Sequence, residues 1–202
     1  MHFPLSDLSV PQTYALLTQS IIPRPVAWVL SENEDQSFNL APFSYFNALA
    51  SDPPLLIISI GRKDAETEKD TRVNIRERKD FVVHIAHREL AWAMTQTAAT
   101  LPAGQSELEG LDLTLAQMPG SRLPRIGDCR LAFACCVSDI QTVGTQELVF
   151  AEVSDIYVDD EVMGADAKGR PKILADKVDP IARLGGGEYV SFGEIITIER
   201  PA

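Results

Sequence analysis

A succession of short runs rich in β-branched and aromatic residues, each bounded by Gly, Pro, Asp or Asn, constrains this chain more than any other feature. Val26 to Leu30 follows Pro23-Arg24-Pro25, and Leu55 to Ile60 sits between Pro54 and Gly61 as an apolar run suited to a strand buried on both faces. Phe81 to Ala86, Leu111 to Ala116, Leu131 to Ile140, Leu148 to Val158 and a terminal Ile195 to Ile198 repeat the pattern. Only Asp70 to Lys79 and Leu90 to Thr100 read as helical. Many strands with few helices predict a mainly β fold, a closed or partly closed antiparallel barrel rather than a doubly wound parallel sheet. At 202 residues and 45% hydrophobic content, the chain is expected to form a single domain over 1–202. The Gly164 to Lys172 stretch reads as a polar loop.

Charge removes several function classes. With 29 acidic against 18 basic residues the formal charge is −11, which excludes a sequence-independent grip on nucleic acid or an anionic membrane. An anionic ligand would need a local basic cluster. No apolar stretch approaches the roughly 20 residues of a membrane span, and His2-Phe3-Pro4-Leu5-Ser6-Asp7 lacks the pattern of a signal peptide, so a cytoplasmic protein is expected. Cys129, Cys135 and Cys136 form no metal-ligand or redox spacing and read as small buried side chains.

The segment Asn39-Leu-Ala-Pro-Phe-Ser-Tyr-Phe-Asn47 reads as a shaped loop, because proline lacks a backbone donor and small polar groups alternate with rings. Such a loop can hold a planar heterocycle rich in hydrogen-bonding atoms. Beyond one strand comes Lys69-Asp70-Thr71, and Thr67-x-x-Asp70 has the form of a capping box that puts these three residues in a first helical turn. Free amides, the positive dipole end, an ammonium and a hydroxyl together suit an anion. Nucleotide-fold signatures fail: Val190 stands where Gly185-Gly186-Gly187 would need its last glycine, and Gly164 to Gly169 is followed by Arg170-Pro171. No Gly-x-Ser-x-Gly elbow occurs. His84 and His87 would leave a strand on opposite faces, so no shared metal is expected; His84 reads as a hydrogen-bonded core histidine and His87 as a residue able to face a pocket. Trp28 and Trp92 read as packing residues.

Taken in order, Ile22-Pro23-Arg24-Pro25-Val26-Ala27-Trp28-Val29, Asn39 to Asn47, Ser51-Asp52-Pro53-Pro54, Ser59-Ile60-Gly61, Lys69-Asp70-Thr71-x-x-Asn74-Ile75, Phe81-Val82-Val83-His84-Ile85 and Arg183-Leu184-Gly185-Gly186 resemble the flavin reductase-like family of FMN-binding split barrels. The resemblance implies a homodimer of Greek-key split β-barrels with FMN near the subunit interface. It implies that Asn39, Ala41, Pro42, Phe43, Ser44 and Asn47 border the isoalloxazine ring, partly through backbone groups. It further implies Lys69 and Thr71 at the phosphate, joined by Arg24, and Arg183 and Tyr189 near the outer face of the ring or the partner subunit. Where such proteins often have an acidic-Phe pair before Ala-Gly-Leu, this chain has Glu107-Leu108-Glu109-Gly110-Leu111, a departure that bears on the outer pocket rather than the flavin site.

The expected activity is an NAD(P)H-dependent flavin reductase, with NADH or NADPH as donor and a partner oxygenase or other molecule as electron acceptor. No catalytic dyad is needed, since the chemistry belongs to the cofactor. Alternatives are an FMN carrier or electron-transfer module without nicotinamide turnover, a flavoenzyme acting directly on a small organic substrate, and a barrel holding another cofactor such as haem.

Overall fold

The computed structural model describes residues 1–198 and 201. Its strands are β1 (Arg24–Pro25), β2 (Ala27–Glu32), β3 (Phe38–Phe43), β4 (Phe46–Ser51), β5 (Pro54–Ile60), β6 (Asp80–Ile85), β7 (Leu115–Gln117), β8 (Pro124–Ile126), β9 (Leu131–Val143), β10 (Gln146–Val158), β11 (Met163–Ala165), β12 (Pro171–Ile173), β13 (Ala182–Arg183) and β14 (Tyr189–Val190). The α-helices are α1 (Val10–Ser20), α2 (Asp70–Arg78), α3 (Ala91–Gln96) and α4 (Ala175–Val178).

One antiparallel sheet dominates, in the order β3-β2-β6-β9-β10-β5-β4. Its two edge strands, β3 and β4, are neighbours in sequence, separated only by Ser44-Tyr45. The sheet therefore curls until its edges meet at that corner, where Ser59 N–H donates to the Tyr45 carbonyl at 2.8 Å. Bulges between Phe150 and Ala151 and between Val153 and Asp155 in the β9–β10 hairpin add local twist, which is what closure demands. The result is a mostly β split barrel.

Burial follows the pleat. In β2, Ala27 and Val29 point into the barrel with Phe43, Ile58, Ile60, Phe81, Val83 and Val149, and Ile75 of α2 joins them. Trp28 and Leu30 point the other way into a second core with Leu40, Val82, Met94, Leu123 and Ile126, covered by α3 and the β7–β8 hairpin. Two buried faces explain the unbroken apolar run of β2. Trp28 is fully buried, with Nε1 donating to Thr97 Oγ1 at 2.8 Å, whereas Trp92 is exposed.

Several expectations need correction. The Asn39–Asn47 segment is not loop: all but Ser44 and Tyr45 lie in β3 and β4. Pro42 is tolerated because β3 is an edge strand; the Leu40 N–H already points away from β2, and Pro42, two residues on, would face the same unpaired side. β5 is buried on one face only, through Leu56, Ile58 and Ile60. Of Leu111 to Ala116 only Leu115 and Ala116 enter a strand, and Ile195 to Ile198 pair with nothing among the described residues. The Gly164 to Lys172 loop contains the β11–β12 hairpin. Helix α1 had no sequence expectation; its Val10, Tyr14 and Leu17 and the following Ile21 form an exposed stripe. The helix around Leu90 is shorter than its pattern, a 3₁₀ turn at Arg88–Leu90 leading into α3. The Thr67 capping box does not form, since Thr67 N–H is held by Asp64 and Lys69 is the N-cap. Cys136 is exposed, while Cys129 and Cys135 are buried as expected.

Candidate functional site

Helix α2 begins against the middle of β3. Lys69 sits at its N-cap with extended backbone (φ −73°, ψ 141°), so the amides of Asp70 and Thr71 open the helix and have no hydrogen-bond acceptor among the described residues. Thr71 is buried beside Asn39, 2.8 Å from hydroxyl to side-chain amide. The amide is best oriented with Asn39 Oδ1 accepting from Thr71 Oγ1 and Nδ2 donating to Glu107 Oε1 at 3.2 Å, because the reverse sets Oδ1 against a carboxylate oxygen. The Thr71 hydroxyl proton is then committed, and what Thr71 offers a ligand is its backbone N–H.

These groups surround a cleft bordered by Asn39, Ala41 and Pro42 of β3, the start of α2, the Thr97–Leu101 segment, and the side chains of Lys63 and Glu107. Lys63 Nζ is held by Asp70 Oδ2 at 2.9 Å and by the Leu101 carbonyl at 3.0 Å. Lys69 forms no ion pair among the described residues; its ammonium lies 5.5 Å from the centroid of the Phe43 ring. Burial, then the neighbouring Lys63 charge, push the Lys69 amine below its usual value, with Glu107 opposing them. The cleft therefore holds two ammoniums, Lys63 paired with Asp70 and Lys69 without an ion-pair partner among the described residues, beside open helix amides of the kind that favour an anion.

The predicted residues divide at the β3–β4 corner. Asn39, Ala41, Pro42, Lys69 and Thr71 share the first cleft. Arg24, Ser44 and Asn47 line a second, apolar cleft with Leu17, Ile21 and Tyr45. Phe43 lies between the two with its ring in the barrel core, leaving its backbone as the part that can meet a ligand. Arg24 is buried and does not border the anion cleft. Its guanidinium donates to the carbonyls of Thr18, Ile21 and Leu184 and, at 3.5 Å, to Ser44 Oγ, tying the end of α1 to the Gly185–Gly187 turn. Arg183 and Tyr189 face each other across β13 and β14, Nη1 donating to the phenol oxygen at 3.0 Å, and Thr95 Oγ1 lies 3.3 Å from that oxygen. Neither borders the anion cleft.

Sequence reasoning missed Lys63, the Thr97–Leu101 wall and Glu107. Glu107 lies in the segment expected to shape only the outer pocket, yet it stands in the same cleft as Lys63 and Lys69. A lone charged residue in an irregular segment carries no local signal of burial. His84 is the expected core histidine, with Nδ1 2.9 Å from the Trp28 carbonyl and Nε2 accepting from Ile126 N–H at 2.9 Å. His87 is buried beside Pro180, with Nε2 3.2 Å from Glu89 Oε2, rather than facing a cleft.

Residues 19–175 match the model of the flavin reductase like domain. A Bacillus subtilis protein, YwrF, is 35% identical, the match covering 99% of this chain and 98% of that one. Among solved structures, nitrilotriacetate monooxygenase component B from Bacillus cereus superposes with a TM-score of 0.88 at 33% identity, over 98% of each chain. The 2-nitrobenzoate 2-nitroreductase NbaA of Pseudomonas fluorescens does so with a TM-score of 0.87 at 32% identity, over 100% of this chain and 96% of that one. With the family model spanning most of the chain, this split barrel belongs to the flavin reductase-like family.

Proposed function

We propose that this protein is a cytoplasmic, single-domain, homodimeric FMN-binding oxidoreductase that uses NADH or NADPH to reduce the flavin. The observation that carries the reading is the anion cleft: Lys69 without an ion-pair partner among the described residues, beside Lys63 and at the open amides of α2. In this reading Lys69 and the backbone N–H groups of Asp70 and Thr71 hold the phosphate. Asn39, Ala41 and Pro42 border the ring from one side of the corner, the Phe43 backbone, Ser44 and Asn47 continue that border, and Arg183 with Tyr189 lies toward its outer face. Arg24 acts by organising the second cleft rather than by meeting the phosphate, since four of its N–H groups already have acceptors.

A flavin held there would supply the redox chemistry, hydride passing to it from the nicotinamide and electrons onward to an acceptor. The protein's own part is to bind and orient. The exposed stripe of Val10, Tyr14, Leu17 and Ile21, continued by Tyr45 and Leu49, is the surface on which a second copy would pack. Similarity to the component B protein supports a partner oxygenase as electron acceptor. Similarity to a nitroreductase at nearly the same identity supports the second reading, reduction of a small organic substrate at the flavin itself.

The test is the absorption spectrum of the purified protein with FMN, followed by NADH or NADPH without oxygen. Bleaching of a bound yellow chromophore is expected. A folded protein that binds no FMN refutes the cofactor, and binding without bleaching by either nucleotide refutes the reductase in favour of a carrier. Bleaching that yields no electrons to added flavin or oxygenase but reduces a nitroaromatic supports the second reading.

A further inference from the structure

Glu107 is a carboxylate inside a cleft otherwise built for an anion. It is driven there by its neighbours: Ser106 Oγ donates to the Phe38 carbonyl, and Leu108 packs on the outer core, so the segment is pinned on both sides of Glu107. Oε2 accepts from Leu40 N–H at 2.9 Å, and Oε1 takes the Asn39 amide at 3.2 Å. It thereby occupies a free donor of the β3 edge.

The charged groups facing it are Lys63, from the turn after β5, and Lys69 and Asp70, from the start of α2. β3 and the Thr97–Leu101 segment contribute no ionisable side chain. With all four groups ionised, two ammoniums and two carboxylates leave the cleft neutral; with Glu107 protonated it carries one net positive charge. Burial is the largest influence on Glu107 and raises its pKa above the usual carboxylate value; Asp70 also raises it, against the Leu40 N–H and Lys63.

We propose that Glu107 determines how strongly the cleft prefers a phosphorylated flavin over an unphosphorylated one, its negative charge opposing the phosphate and its protonation admitting it. The inference rests on the flavin reading of the site. Binding a dianion beside Glu107 makes the carboxylate harder to ionise, so FMN binding is linked to proton uptake at this residue and strengthens as pH falls. Riboflavin, which carries no phosphate, feels none of this. A purely structural Glu107, acting as a cap on the β3 edge, would instead affect both ligands alike.

The experiment is equilibrium titration of FMN and of riboflavin, followed by flavin fluorescence, with the wild-type protein and Glu107→Gln. The glutamine retains an oxygen for Leu40 N–H. Removing one like charge at this range is expected to tighten FMN by about tenfold at about pH 7.5, after allowance for solvent screening, and to leave riboflavin within about twofold. The gap between the two proteins narrows as the pH is lowered and wild-type Glu107 takes its proton. Wild-type protein provides a second measurement that needs no variant: the ratio of FMN to riboflavin affinity rises as pH falls toward about 6.5, still above the second phosphate pKa of about 6. Equal changes for both ligands, weaker FMN binding by Glu107→Gln, or a flat ratio in the wild type overturns the role of Glu107 while leaving the flavin site standing. Failure of both folded proteins to bind either flavin overturns the flavin reading itself, and this inference with it.

Discussion

The buried His84 makes the stability of this protein depend on pH in a way the structure lets one calculate. Its ring is wholly buried, and Ile126 N–H donates to Nε2, so the proton of the neutral ring resides on Nδ1 and is given to the Trp28 carbonyl. A second proton on Nε2 would meet the Ile126 N–H head-on. Burial above all, with Arg125 adding and the Trp28 carbonyl opposing, pushes the pKa down from 6.5 to about 4. The unfolded chain therefore binds a proton that the folded chain refuses. For a group of this kind the stabilisation is complete above the unfolded pKa and is lost as pH falls from there toward the folded value. At about 1.36 kcal/mol per unit, the gap between the two pKa values corresponds to roughly 3 kcal/mol at its limit, of which about 2.5 kcal/mol is lost between about pH 7.5 and about pH 4.5. The assay is urea unfolding at fixed protein concentration across that range, comparing wild type with His84→Gln. The variant is less stable at neutral pH because at least one buried hydrogen bond is lost, but its stability falls less on acidification by about 2.5 kcal/mol. Carboxylates with lowered pKa, such as Glu68, contribute to both slopes and cancel in the difference. Parallel slopes for the two proteins would refute the assignment of a neutral, doubly hydrogen-bonded His84.

Lys69→Ala should weaken FMN binding by about 10- to 100-fold, the worth of a charge-assisted contact, with little effect on turnover at saturating FMN, since a phosphate anchor acts equally in ground and transition states. Collapse of saturated turnover at unchanged affinity would contradict that role; titration and steady-state kinetics check it. Gly120, at φ 71° in the β7–β8 hairpin, leaves no room for a Cβ against the Asp155 carboxylate, so Gly120→Ala should cost about 1–3 kcal/mol and lower Tm by about 2–4 °C per kcal/mol. Thermal unfolding of the variant measures this. Charging the exposed stripe with Tyr14→Glu and Leu17→Glu together should convert a dimer to a monomer in sedimentation or light scattering while leaving the far-ultraviolet circular dichroism unchanged.

Strands β2, β6, β9 and β10 were legible because their apolar runs are long, β-branched and cleanly bounded, and both cores draw on them. The corner from Asn39 to Asn47 was misread as loop. Its proline is compatible with a strand only where one side is unpaired, and whether a strand lies at an edge is a property of the whole sheet. Helix α1 also escaped notice, and only the tertiary structure shows that its apolar stripe faces outward and supplies no core.

The position of Lys69-Asp70-Thr71 followed from sequence because a charged triplet at the start of a helix is a local signal, and helix starts expose amides wherever they occur. The roles of Arg24 and Glu107 did not follow. Arg24 is consumed by carbonyls as far away in sequence as Leu184, and Glu107 reaches Leu40 across a span of 67 residues. What the sequence alone determined is the short-range content: alternation, turn chemistry, net charge and a charged helix start. Tertiary structure alone decided which strands became edges, which cation was paired with Asp70 and which carboxylate was carried inward. Those outcomes depend on desolvation and on pairings between distant segments, and neither quantity exists until the barrel closes.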